Sequence, residues 1–212
     1  MTETWDPFGT LRDALWIGGA QWAGKSTVAR ILARRHGITA YHYDYHDARA
    51  HNDRRIASGQ SLPGSPDDLW VHASPQDMAA STLAGFPARF EWALDDLRAL
   101  VSGRPILAEG WGLRPELVAP LIDSPRRMVV MVPTPEFREH QVRVLPRAGA
   151  IGAEVSDPAR GQRNRLERDR LVAEDAVRNA HALGIRVIEI DGNRDAEAVA
   201  DLVTDHFSPY LG

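Results

Sequence analysis

One octapeptide restricts what this chain can fold into more than any other feature: Gly19-Ala20-Gln21-Trp22-Ala23-Gly24-Lys25-Ser26. Its form, G-x-x-x-x-G-K-[ST], is that of a loop whose backbone curls around an anion. Glycine lacks the Cβ that would block such a curl, so successive N–H groups can converge on one set of oxygens. The flanks agree with this reading. Residues 14–18, Ala-Leu-Trp-Ile-Gly, read as a strand that leads into the loop. Residues 26–36 read as a helix that leaves it, with Val28, Ile31 and Leu32 on one face and Gly37 as its stop. The start of that helix adds the positive end of its dipole to the same anion.

The basic residues sharpen the point. The chain has 25 of them, and Lys25 is the only lysine. Arginine is a broad planar fork and lysine a compact point charge on a flexible stem, and a phosphate cradle needs the second. The remaining composition bounds the answer. With 212 residues the chain is expected to form one domain, 1–212. A net charge of -4 argues against a global basic field for nucleic acid or anionic membrane. The sequence has no cysteine, which excludes disulfides and cysteine zinc sites and fits a reducing, cytoplasmic compartment. Residues 1–6 are acidic and lack an apolar signal region, and no run of 18 apolar residues suggests a membrane span.

Beyond the loop the pattern alternates apolar runs with amphipathic stretches, which is the signature of an α/β fold. Further strands are expected at 39–44, 105–110, 127–132 and 186–191. The continuous apolar run Met128-Val129-Val130-Met131-Val132 suits a parallel sheet covered on both faces. Helices are expected at 90–101 and 196–207. Two irregular stretches stand out, one over about 45–95 that includes Ser61-Leu62-Pro63-Gly64-Ser65-Pro66, the other over 146–161. Long insertions in a compact domain usually carry function, so both are expected to cover a site, the first for an acceptor and the second as a lid.

The loop, its lysine and this strand set resemble the P-loop kinases of small molecules: shikimate kinase, the nucleoside-monophosphate kinases and chloramphenicol phosphotransferase. Other P-loop classes fit less well. A second lysine, which the base-reading Asn-Lys-x-Asp of small GTPases needs, does not exist here, and the third strand ends in a single carboxylate, Glu109, where motor ATPases carry a pair. The resemblance implies a three-layer α/β fold with a five-stranded parallel sheet of order 2-3-1-4-5, ATP and Mg²⁺, and a small-molecule acceptor. It implies that Gly19 to Ser26 and Thr27 surround the phosphates, that Lys25 reaches the β- and γ-phosphates, and that Ser26 and Glu109 serve the metal, with a plain salt bridge as the other role open to Glu109. Asp44, at the end of the second strand, is the expected base for the acceptor hydroxyl. Asp47 is the alternative, and a helix cap the alternative role. Arg143, Arg147 and Arg163 are the expected lid arginines, with ion pairing along a solvated helix as their other use. Asp191 and Gly192 either frame adenine or form a plain turn. His42, Asp44 and His46 would share a strand face if the second strand ran that far.

Two functions remain open from sequence: a kinase acting on a hydroxyl of a nucleoside, sugar or antibiotic-like molecule, and a nucleotide-binding ATPase module without an acceptor. Asp44 separates them, since only the first needs it. Both require the lysine. Lys25→Ala is expected to abolish ATP-dependent turnover, and Lys25→Arg to be nearly as poor because the fork does not fit a cradle made for a point charge; ADP release by the purified variants checks both.

Overall fold

The computed structural model describes residues 5–59, 64–149, 151 and 154–211. Five strands form one parallel sheet: β1 (Leu15–Gly19), β2 (Thr39–His42), β3 (Ile106–Glu109), β4 (Met128–Pro133) and β5 (Arg186–Ile190), in the order β2-β3-β1-β4-β5. The expected α/β architecture and strand order are observed. β1 is buried along its whole length, as a central parallel strand with both faces covered must be.

Alternation along the strands divides the core into two. Trp16, Ile106, Ala108, Met128 and Val130 point to one face. There they meet Phe90, Leu94 and Leu97 of α3 (Pro75–Arg98), and Ala176 and Ala180 of α5 (Pro158–Ala182). Leu15, Ile17, Leu107, Val129, Met131 and Ile188 point to the other face. They pack on Val28, Ile31 and Leu32 of α1 (Lys25–His36), and on Val203 and Phe207 of α6 (Ala196–Leu211). The result is three layers, helices on both faces of a sheet. No helix among the described residues is long and apolar enough to cross a membrane.

Several expectations are corrected. The stretch over 45–95 is largely helical. Tyr43–His46, the π-helical Asp47–His51 and Asn52–Ala57 run end to end as α2, and α3 begins at Pro75. Ser74 caps α3 by accepting from Asp77 N–H, and proline suits the first turn because that position has no helical partner for an N–H. Of the expected loop at 61–66, Ser61, Leu62 and Pro63 lie outside the described residues. β2 stops at His42, so His42, Asp44 and His46 share no strand face; the chain has reached the sheet edge, where Tyr43 buries its ring and turns the backbone into α2. Among the described residues no group of three or more His, Asp or Glu is arranged to hold a metal.

Of the segment 146–161, residues 146–149, 151 and 154–161 are described, and they pack on their neighbours. The segment contains a turn of helix, Pro146–Gly149, in which Ala148 is buried and its carbonyl accepts from Gln162 Nε2 at 2.7 Å. Ser156 N–H donates to Asp67 at 2.7 Å, which joins the segment to the first insertion. Gly152 lies outside the described residues.

α2 is fixed from below by a polar cluster on α3. Asp96 accepts from Tyr41 Oη at 2.9 Å and lies 2.9 Å from His51 Nε2 and 3.5 Å from Arg54 Nη2. Asp47 accepts from Arg89 at 2.9 Å. These contacts set where α2 starts, and so where Asp44 stands.

β1 can enter the loop only because Gly18 and Gly19 end it. A Cβ on Gly18 would overlap the Leu113 carbonyl and come within 2.7 Å of the Met128 methyl. Gly19 has φ +114° and lies against the backbone of Met131. Gly18→Ala is therefore expected to cost about 1–3 kcal/mol of stability through overpacking, read as a lowered urea midpoint at unchanged slope.

Candidate functional site

The loop between β1 and α1 closes as the sequence requires. Gly24 sits at φ +78° just before α1, and Ala20 N–H donates to Met131 O at 2.9 Å. Lys25 is 5% exposed, and its ammonium donates to the Ala20 carbonyl at 2.6 Å. A cavity of about 610 Å³ opens beside it. Gln21, Trp22, Gly24, Lys25, Ser26 and Thr27 form one wall, and Arg30, His42, Asp44, Tyr45, Glu109 and Arg147 complete it. Ala20 and Ala23 are buried beneath the loop. Lys25, Ser26, Asp44 and Glu109, far apart in sequence, thus border one space.

Asp44 occupies the first turn of α2. Its Oδ1 accepts from the Trp111 N–H at 3.1 Å, so it does not cap its own helix. The neighbouring Gly110 makes room for this bond: a Cβ there would lie 2.9 Å from Asp44 Oδ1 and 2.5 Å from Tyr43 Cβ. Asp44 is open to solvent on the cavity side and walled by protein on the others. That crowding pushes its carboxyl above the usual value; Lys25 and the Trp111 N–H oppose the shift and Glu109 adds to it. Asp47, the alternative base, is instead paired with Arg89 and within 3.4 Å of Tyr43 Oη, and it does not border this cavity.

Glu109 is 1% exposed at the end of β3. Its Oε1 lies 2.6 Å from His42 Nδ1, while Oε2 is buried and has no hydrogen-bond partner among the described residues. A buried carboxylate oxygen without a donor is costly. A hard cation would satisfy it, and the Ser26 hydroxyl borders the same cavity as a second oxygen ligand. Two protein oxygens suit Mg²⁺, which keeps several waters, so the residues present fit the metal.

Of the expected lid arginines, the structure brings Arg147 to the cavity wall. Arg143, on α4 (Pro135–Val144), and Arg163, on α5, are exposed and border neither this cavity nor the next. Arg163 faces solvent because the inward stripe of α5 runs through Gly161, Asp169, Val172, Ala176 and Ala180. Arg165 lies on that stripe, one turn from Asp169. It was not among the three expected lid arginines, although the i, i+4 spacing of the stripe is visible in the sequence, and it too borders neither cavity. Arg30, one turn and a half into α1, was missed too.

A second cavity of about 280 Å³ adjoins the first on the far side of Trp22. Val28, Phe137, Gln141, Leu145, Ile190 and Arg194 line it, with Trp22, Gly24, Thr27 and Arg147 shared between the two. Asp191 and Gly192 form an exposed turn in which Asp191 accepts from Asn193 N–H at 2.9 Å. Gly192 packs against the Phe137 ring, so the turn shapes the cavity from behind without bordering it.

No family model matches the chain, and no curated protein matches its sequence. Solved structures do match. A shikimate kinase from Acinetobacter baumannii, in complex with shikimate, aligns with a TM-score of 0.51 at 17% identity over 97% of this chain and 100% of its own. The chain has the shikimate kinase fold. A gluconokinase from Sinorhizobium meliloti aligns at 0.44 and 13% identity, over 94% of this chain and 93% of its own. A shikimate kinase from Aquifex aeolicus aligns at 0.43 and 17%, over 92% and 96%. In this fold the cavity lies at the carboxyl ends of β1, β2 and β3, where an open parallel sheet presents its ligand crevice.

Asp44 generates a two-part prediction. With Asp44 as the expected base, Asp44→Asn is expected to lower turnover about a hundredfold or more, while the amide oxygen still accepts from Trp111. A carboxyl raised by the fold binds more protons folded than unfolded, so its contribution to stability falls as pH rises through the raised value. Asp44→Asn removes that term, and the variant should melt no lower than wild type at pH 7. The same shift raises the acidic limb of the wild-type pH–rate profile above that of an ordinary carboxylate.

Proposed function

We propose that this protein is an ATP-dependent kinase that transfers the γ-phosphoryl group to a hydroxyl of a small molecule, with Mg²⁺ as its metal. The observation that carries the reading is the meeting of Lys25, Ser26, Asp44 and Glu109 around one cavity of about 610 Å³. A nucleotide-binding module with no acceptor needs the first two residues and Glu109. It has no use for a carboxylate held by the Trp111 N–H opposite the phosphate loop. The shared fold with a shikimate kinase supports the same class.

In this reading the triphosphate lies along the loop from Gly19 to Thr27. The backbone N–H groups, the α1 dipole and the Lys25 ammonium stabilise its charge. Asp44 accepts the proton of the acceptor hydroxyl. The acceptor oxygen then forms its bond to the γ-phosphorus as the bond to the bridging oxygen breaks, and that electron pair leaves with ADP. Ser26 and Glu109 would hold the metal, which neutralises β- and γ-oxygen charge when bound. His42 holds Glu109 through Oε1 and leaves Oε2 for that task. Arg147 adds positive charge at the rim. Nothing in the chemistry of the cavity calls for nucleic acid or membrane as substrate.

ADP release measured with and without a panel of nucleosides, sugars and hydroxylated antibiotics is expected to rise with one class of acceptor. Release at the same rate with every acceptor and with none would instead support an ATPase module. Glu109→Gln is expected to raise the Mg²⁺ concentration for half-maximal turnover by about tenfold or more, read from Mg²⁺ titrations at saturating ATP.

A further inference from the structure

Trp22 carries a feature that its residue type does not favour. It has φ +66°, the one non-glycine at positive φ among the described residues. The same loop uses glycine at Gly19 and Gly24, where φ is also positive. A bulky side chain in that region is a true outlier, and it persists only where its surroundings hold it.

Those surroundings are two arginines from elsewhere in the chain. The guanidinium carbon of Arg147, in the turn Pro146–Gly149, lies 5.7 Å from the indole centroid. That of Arg165, on α5, lies 5.4 Å away. Both distances are within cation–π range. Arg165 Nη2 also donates to the Arg147 carbonyl at 3.3 Å. Trp22 and Arg147 both border the phosphate-side cavity and the smaller one beside it.

We propose that Trp22 is a positioning residue whose ring holds Arg147 and Arg165 beside the phosphate loop. Arginine loses much rotamer freedom when it is ordered. A ring that fixes two guanidiniums in advance removes most of that cost from the binding step. Two like charges on one ring repel each other, and a triphosphate beside them offsets the repulsion with charge-assisted hydrogen bonds. The strained backbone at Trp22 is what directs the indole toward the lid segment and α5. This inference rests on the kinase reading for the identity of the anion, and on geometry alone for the arginine contacts.

The test uses the full chain with Trp22→Gly and Trp22→Phe. Glycine relieves the strained φ and removes the ring; phenylalanine keeps a π-face. Expected are a melting temperature for Trp22→Gly equal to or above wild type, and calorimetric affinity for the Mg²⁺ complex of a non-hydrolysable ATP analogue lowered about tenfold. Trp22→Phe should stay within about threefold of wild type. Wild-type affinity in Trp22→Gly would overturn the proposal. So would equal losses of affinity in both variants with lowered melting temperatures, which mark a merely structural role. If wild type itself binds no ATP analogue, the kinase reading fails, and a nucleotide-free arm decides the arginine contacts. The Trp22 emission, taken as wild type minus Trp22→Phe, should shift in Arg147→Met and in Arg165→Met backgrounds; an unchanged spectrum in both overturns them.

Discussion

A single ammonium held out of water at the carboxyl end of a parallel sheet is the constraint around which this structure is arranged. Lys25 has three donors, and the Ala20 carbonyl accepts one of them. A charge so placed is costly unless opposite charge is near. Asp44 and Glu109 supply it across the cavity, at the ends of two different segments that only the sheet brings together. β1 must therefore be central, flanked by β3 on one side and β4 on the other, and Gly18 and Gly19 must let it pass close under Leu113 and Met131. The layers of helix serve this by covering both faces of the sheet, and the cavity opens at its carboxyl edge.

The acceptor side follows from the same geometry. β2 pairs with β3 in register, His42 against Glu109, and that pairing puts the imidazole on the carboxylate. Immediately after His42 the chain turns into α2, which places Asp44 over the loop after β3. Tyr43 fills the space left by Gly112, where any side chain would collide with its ring. The Tyr41–Asp96–His51 cluster then fixes the rest of α2 to α3. A carboxylate with a raised proton affinity is thus built from local backbone and held by distant side chains.

Much of this was legible in the sequence where the signal was local. The phosphate loop declares itself because its glycines, lysine and serine act through neighbouring backbone. The strands declare themselves as apolar runs, Met128–Pro133 most clearly. The insertion was misread as irregular because its Pro, Ser and Asp residues look like loop formers; Ser74-Pro75 is instead a helix start, and composition does not distinguish the two. The exposure of Arg163 depends on which face of α5 turns inward, and the stripe Gly161, Arg165, Asp169, Val172, Ala176 reveals it. The conformation of Trp22 was not legible at all. The positive φ falls on tryptophan in a loop that elsewhere uses glycine for it, and the arginines that meet its ring stand more than a hundred positions away, so no window of sequence contains both.

α5 ties the two halves of the cavity region together. Arg165 and Arg168 stand three residues apart, on neighbouring positions of one helical face. Arg165 meets the ring of Trp22 in the phosphate loop. Arg168 lies 5.3 Å from the ring centroid of Trp70 and 5.4 Å from that of Trp111, and it is anchored to the buried Asp169 at 2.6 Å. The backbone N–H of Trp111 is the donor that holds Asp44. One turn of α5 therefore touches Trp22, in the loop between β1 and α1, and Trp111, whose N–H holds Asp44. A helix is stiff over a single turn, so a displacement of Arg165 against Trp22 also moves Arg168 against Trp111. The Trp22 and Asp44 walls of the cavity are in this way mechanically linked through α5.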